Sequence, residues 1–346
     1  MTISDRQRRC GRPDVLRRQF HGPIRFPGSD WQWWVANEGH ALSAARRMDA
    51  FLGNDQNDQG VNTLRTFKSR SIYHLHDTTG DCFAKRIPLL TLRKRIGALT
   101  GHQNVLLGFD HGSAEVSNTL FLHEHTDYGL PVYCLGEHMR HGLPLQQLLI
   151  QPWLGESVGL KTLWQTTTPE YRQRLLPHIE KLLGALYRAR LLHLDLHGGN
   201  IMIAQENAVS KLHVIDCDKM AVDVAQPQVA TALHIGKLLR ELEGRRPEHF
   251  LQQLSLARHM QRRITGNRDL SEEIDGVLAI SLRYRMSKTI SRRRLVMSPL
   301  NAIDCQALEA QARLTYKNAD MPFIDWQRLK DSKSDMEHIV PTLPSY

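Results

Sequence analysis

A chain of 346 residues, 41% hydrophobic and 23% charged, has an ordinary folded-protein composition and enough length for one large or two modest domains. Its formal charge of +9 favours an anionic partner: nucleotide, phosphorylated substrate, acidic membrane surface or nucleic acid. No apolar run approaches the roughly 18–20 residues that cross a bilayer, and the N-terminus lacks the apolar middle of a secretory signal. Cys10, Cys82, Cys134, Cys217 and Cys305 are scattered and form no CxxC pair, so they indicate neither a disulfide framework nor structural zinc. A protein kept in a reducing cytosol is expected.

Residues 1–60 read as a basic, tryptophan-containing extension. Arg8, Arg9, Arg12, Arg17 and Arg18 open it, a helix is predicted over 38–52, and the breakers GNDQNDQG close it at 53–60. Trp31, Trp33 and Trp34 are expected to anchor this segment against the domain, with lipid headgroups as the alternative. From 61 to 88, NTLRTF, SIYHLH, a DTTG turn and CFAKRI predict a small sheet. Basic LRKR at 92–95, a helix over 112–126 and the strand-like pieces YCLGEH and LQQLLI complete a first lobe over 61–151, with a hinge at 151–155.

Residues 152–330 read as a helix-rich second lobe. A long segment starting near Pro169 carries Leu175, Leu176, Ile179, Leu182, Leu183 and Leu186 on one broad face, with Pro177 expected to bend it or mark a later start. HLDLHGGN follows, then strand-like IMIA, a polar turn and strand-like KLHVIDCD. Helical patterns resume at 229–242, at 247–261 and beyond 302, and the tail over 331–346 is expected to be loosely ordered.

The chemistry concentrates in His193, Asp195, Asn200, Asp216 and Asp218. Gly198 and Gly199 are expected to turn the loop tightly enough to aim Asp195 and Asn200 into one space. A hairpin of IMIA with HVID would return Asp216 beside Asn200. Phosphoryl transfer needs such a set, because a carboxylate must position or deprotonate the accepting hydroxyl while oxygen ligands hold Mg²⁺. Asp195 is then the base or positioning group, and Asn200 and Asp216 are the metal ligands. Asp218 is a second metal contact or a salt-bridge residue. His193 reads as a loop-organising residue, and His197 as a substrate contact or an exposed loop residue.

A cation over the phosphates is also required. Lys85 follows Ala84 on a strand, so the two face opposite ways and the lysine can point into a cleft. Glu115 is the chosen carboxylate partner, with Glu124 the alternative. The late run RYRMSKTISRRR brings Arg292, Arg293 and Arg294, which either meet phosphates, carboxylates or headgroups of an acceptor, or simply face solvent.

HLDLHGGNIMI followed by VIDCDK resembles the HxDxxxxN and DxD-type loops of kinase-fold phosphotransferases, and FAKR resembles their nucleotide-binding lysine strand. Aspartate rather than glycine two residues after Asp216 turns the likeness away from Ser/Thr kinases. FKSRSIYHLH, AEVSNTLFLHEHTDYGLPV and SKTISRRRL are similar to the lipopolysaccharide core heptose and Kdo kinases, over about residues 62–295. That resemblance implies an α+β, bilobal, protein-kinase-like fold with a small sheet-rich N-lobe and a larger helical C-lobe. It implies ATP and Mg²⁺ as cofactors, and transfer of the γ-phosphate to a heptose or Kdo hydroxyl of the lipid-linked inner core.

The implied setting is the cytoplasmic face of the inner membrane, with an anionic membrane surface as a further partner and no nucleic acid. Asp195 would position the acceptor, Asn200 and Asp216 would bind metal, and Lys85 with Glu115 would anchor phosphate. No GxGxxG precedes Lys85; Ser69 and Arg70 stand in its approximate place, so phosphate cover falls to backbone amides and Arg70, or nucleotide binding is weak. The competing readings are a small-molecule kinase, a protein kinase, and a weakly active kinase-fold scaffold in envelope synthesis. The basic charge speaks against the first, the missing Asp-Phe-Gly and Ala-Pro-Glu patterns against the second, and the intact Asp195, Asn200, Asp216 and Lys85 against the third.

Overall fold

Side chains on a strand alternate between faces, and this alternation sorts the tryptophans and the lysine strand. The computed structural model describes residues 19–53, 60–67, 70–76, 80–100, 112–206, 209–244, 247–286, 295–315 and 321–335. The arginines of residues 8–18, Ser69 and Arg292–Arg294 lie outside the described residues. Two compact units are present: Met1–Ser157 with Ala204–Lys219, and Val158–Ile203 with Met220–Tyr346.

In the first unit the order is β1 (His21–Ile24), β2 (Trp31–Val35), α1 (Gly39–Gly53), β3 (Val61–Phe67), β4 (Arg70–Leu75), β5 (Cys82–Pro88), α2 (Leu92–Thr100), α3 (Gly112–His125), β6 (Cys134–Arg140) and β7 (Leu143–Pro152). The strands form one sheet in the order β1-β2-β6-β7-β5-β4-β3, with every neighbouring pair antiparallel. One face buries Trp31, Trp33, Tyr73, Leu75, Ala84, Leu148 and Ile150 against Ala41, Ala44, Ala45 and Met48 of α1. The other face buries Trp34, Leu135 and Leu149 with Val116 of α3. All three tryptophans are therefore interior residues. Trp33 Nε1 donates to Asp49 Oδ1 of α1 at 2.7 Å, which answers its polar edge inside the core.

The second unit is mostly helical. It holds β8 (Val158–Gly159), α4 (Leu160–Thr166), α5 (Pro169–Arg188) and β9 (Leu192–His193). Within β10 (Ile201–Glu206) the chain passes to the first unit, where β11 (Val209–Val214) lies, and it returns at β12 (Met220–Ala221). Then come α6 (Pro227–Glu243), α7 (Phe250–Thr265), α8 (Glu272–Arg283), α9 (Cys305–Leu314) and α10 (Trp326–Asp335).

Helix α5 starts where its sequence says it should: Thr168 caps the Tyr171 amide and Pro169 takes the first turn. It runs on through Pro177, so the expected later start is not seen. Helix α6 is buried from Val229 to Arg240 without a break and forms the centre of the unit. Gly236 permits this, since a Cβ there would land on Ser281 and the backbone of α8. Arg258 of α7 forks onto Asp275 of α8, Nε to Oδ1 at 2.7 Å and one terminal nitrogen to Oδ2 at 2.8 Å. A sheet-rich unit and a helix-rich unit agree with the α+β make-up expected from the sequence.

Gly136 of β6 lies under the ring of Trp33, and a Cβ would come within 2.7 Å of it. Gly136→Ala should therefore cost about 1–3 kcal/mol by overpacking. Urea unfolding should show a lower midpoint at an unchanged m-value; an unchanged midpoint would mean that the ring has room to move.

Candidate active site

In the first unit, Lys85 sits on β5, which is flanked by β4 and β7. Ala84 turns toward α1, so Lys85 turns to the opposite face, beside Leu149 and on the side of α3. Its Nζ donates to Glu115 Oε1 at 2.9 Å and to Asp216 Oδ1 at 2.5 Å. Glu115 is 3% exposed and lies in the first turn of α3, where unpaired backbone amides favour a carboxylate. Glu124, near the other end of the same helix, instead accepts a hydrogen bond from Gln19.

Asp216 is fixed from both sides. Upstream, the Val214 amide donates to the Tyr128 carbonyl at 2.8 Å. Downstream, Asn118 Nδ2 donates to the Cys217 carbonyl at 2.7 Å. Glu115 and Asn118 are three apart, so one helix face holds both the lysine and the aspartate loop. Asp216 itself has φ of 58°, a left-handed conformation uncommon outside glycine. Such strain persists only where its surroundings enforce it.

The charges do not balance. Burial works against the Lys85 ammonium, but Glu115 and Asp216 together outweigh it and raise its pKa. Burial raises the Glu115 pKa, which Lys85 offsets in part while Asp216 adds repulsion. Asp218 is raised as well, by burial and then by Asp216, against weaker attraction from Lys219 and Arg70. Glu115 and Asp216 thus share one buried lysine, while Asp218 lies 3.8 Å from the Lys219 ammonium. Oxygen donors with surplus negative charge suit a hard divalent cation, so the donor set fits Mg²⁺. Arg70, exposed at the start of β4, adds positive charge toward Asp218.

A separate cluster stands in the second unit. His193 is 1% exposed; its amide donates to His234 Nε2 at 3.1 Å, and its Nδ1 accepts from the Asp195 amide at 3.2 Å. Those bonds are loop-organising. Asp195 Oδ1 accepts from Lys237 Nζ at 2.8 Å, with both side chains largely buried. Asn200 Nδ2 donates to the Asp195 carbonyl at 3.1 Å, and the His197 ring accepts from the Gly199 amide at 3.0 Å.

Sequence reasoning missed His234 and Lys237. Their signal is two polar residues three apart in the mostly apolar run VATALHIGKLL. The expected tight turn at the glycine pair is present, closed by the Asn200 amide donating to the His197 carbonyl at 2.8 Å. Neither Gly198 nor Gly199 adopts a positive φ; Gly198 is required because a Cβ would come within 2.9 Å of Lys161 and 3.0 Å of Leu242.

No family model matches the chain, and no curated protein matches it. Among solved structures it is similar to one described as "WaaP in complex with acyl carrier protein", at 17% identity, with 68% of this chain and 99% of that chain covered and a TM-score of 0.41. A likeness at that score decides nothing about the chemistry, which rests on the two clusters.

Lys85→Met should strand the Glu115 carboxylate in the core and cost about 3–5 kcal/mol at neutral pH. Without the lysine the folded-state pKa of Glu115 rises further above its unfolded value, so the native state binds more protons and the deficit shrinks as pH falls. Lys85→Met/Glu115→Gln should recover most of the loss at neutral pH. Denaturant midpoints across pH check both; a deficit independent of pH and of Glu115 would refute the charge account.

Proposed function

We propose that this chain is an ATP-dependent phosphotransferase that places the γ-phosphate on a heptose or Kdo hydroxyl of the lipid-linked lipopolysaccharide inner core. The observation that carries the phosphotransferase reading is the buried Lys85 ammonium, hydrogen-bonded at once to Glu115 and Asp216. A lysine held between carboxylates on a rigid strand is pre-organised to meet phosphate oxygens, and little else in the sheet explains burying it. The acceptor class is read from the sequence resemblance and from the formal charge of +9. Among the described residues no helix is long and apolar enough to cross a membrane; the cytoplasmic face of the inner membrane, as the place where the lipid-linked acceptor is met, is read from the sequence resemblance alone.

In this reading ATP supplies the phosphoryl group and Mg²⁺ supplies the positive charge that offsets its oxygens. Asp216 and Asp218 would hold the metal, and the Asn200 side-chain oxygen is the third proposed ligand. Lys85 binds phosphate, Glu115 keeps Lys85 aimed, and Arg70 contributes cover in place of a glycine-rich loop. Asp195 orients the acceptor hydroxyl and accepts its proton. Lys237 fixes the Asp195 carboxylate through one oxygen, while His193 and His234 hold the backbone beneath it. His197 is assigned to the substrate side, and Arg292, Arg293 and Arg294 to the anionic acceptor or the headgroups around it. Positioning and charge do most of the work in such transfers.

With purified protein, radiolabelled ATP and defined core-lipid acceptors, label should appear in the lipid-linked sugar. Asp195→Asn and Asp216→Ala should each reduce it by about 100-fold or more. Lys237→Met should lower kcat while leaving the KM for ATP near its original value. Undiminished transfer without Asp195 and Asp216 would overturn the mechanism, and labelling of soluble sugars or peptides alone would overturn the acceptor.

A further inference from the structure

Beyond the candidate active site, the end of the β4–β5 hairpin gathers a second set of ligating groups that the phosphotransferase reading leaves unused. His74 and His76 lie two residues apart and so share a face, and Asp81 stands across from them just before β5. Asp81 Oδ2 is 3.0 Å from His74 Nε2 and 3.2 Å from His76 Nδ1. One donor atom from each of the three residues falls within 4.8 Å of the others. A tetrahedral Zn²⁺ with N and O ligands about 2.0–2.2 Å away separates them by roughly 3.3–3.5 Å. The two Asp81 contacts need to open by only a few tenths of an ångström to reach that spacing.

These groups are fixed in advance. The His74 ring stacks on Trp153, with centroids 4.1 Å apart and planes 26° apart. The Trp153 amide donates to the Asp81 carbonyl at 2.9 Å, and the His76 amide donates to the Gly60 carbonyl at 2.8 Å. Arg47 also donates to the His76 carbonyl. Exposure is graded as a metal site requires: the His74 side chain is 12% exposed, that of Asp81 37% and that of His76 49%. The fourth position therefore opens to solvent.

We propose that His74, His76 and Asp81 form a binding site for a divalent transition-metal ion, Zn²⁺ foremost, completed by water. Two imidazoles and a carboxylate favour Zn²⁺ over Mg²⁺, whose ligands are oxygens. The cysteines gave no sign of this site because none takes part in it. The ion would clip β4 to β5 at the hairpin end, four residues from Lys85 along the same strand, and so secure the register of the lysine strand. The proposal does not depend on the phosphotransferase reading.

The test is zinc binding by the chelator-stripped full chain, in competition with a chromophoric chelator, and Co²⁺ substitution followed by visible absorption. One equivalent should bind, Co²⁺ should give the strong bands of a four-coordinate site, and Zn²⁺ should alter the emission of Trp153 and raise the unfolding temperature. His76→Ala and Asp81→Asn, both at exposed side chains, should weaken that equivalent more than about ten-fold. His74→Ala should do the same, and because its ring packs on Trp153 the two exposed-site variants carry the test if it misfolds. Trp153→Phe should bind Zn²⁺ without the emission change. A wild-type chain that takes up no zinc would overturn the proposal, as would an equivalent unchanged in His76→Ala and Asp81→Asn; the three residues would then be plain His–Asp hydrogen-bonded pairs.

Discussion

A buried ammonium group must have negative partners, and the first unit is arranged to give Lys85 two of them. The strand places it, because Ala84 is needed against α1 and the next residue must then face the other way. Helix α3 answers with Glu115 in its first turn and with Asn118, one turn later, on the loop that carries Asp216. Removing the lysine leaves a carboxylate in the core; removing Glu115 leaves the lysine with Asp216. The carboxylates of Asp216 and Asp218, close in sequence and mutually repelling, are the part of the site that the proposed cation would settle.

The second unit repeats the lysine–carboxylate pairing with a different balance. Lys237 and Asp195 match one to one, and His193 ties the Asp195 amide to the buried helix α6 through His234. A carboxylate so anchored keeps one orientation. The same helix therefore serves as the centre of packing and as the base beneath the loop.

Much of this was legible in the sequence. The strand alternation at Ala84 and Lys85, the periodic leucines of α5 and the Asp195, Asn200, Asp216 series all mark themselves locally. What escaped depends on packing between distant elements. Lys237 meets Asp195 across 42 residues, a pairing that no local pattern announces. Helix α8 is buried from Ile274 to Arg283, polar Asp275, Ser281 and Arg283 included, which its sequence does not announce. The segment WQWWV is buried on both faces and lacks strand alternation, which hides β2 inside what reads as an extension. The further requirement at Gly198 comes from Lys161 and Leu242, neither near it in sequence.

Calorimetric titration of the full chain with ATP, with and without Mg²⁺, tests the role given to Lys85 and its two carboxylates most directly. The account predicts saturable binding that strengthens with Mg²⁺ in the wild type, loses that Mg²⁺ dependence in Asp216→Asn, and is weakened at least tenfold in Lys85→Met/Glu115→Gln. ATP binding indifferent to Mg²⁺ and to both substitutions would contradict it.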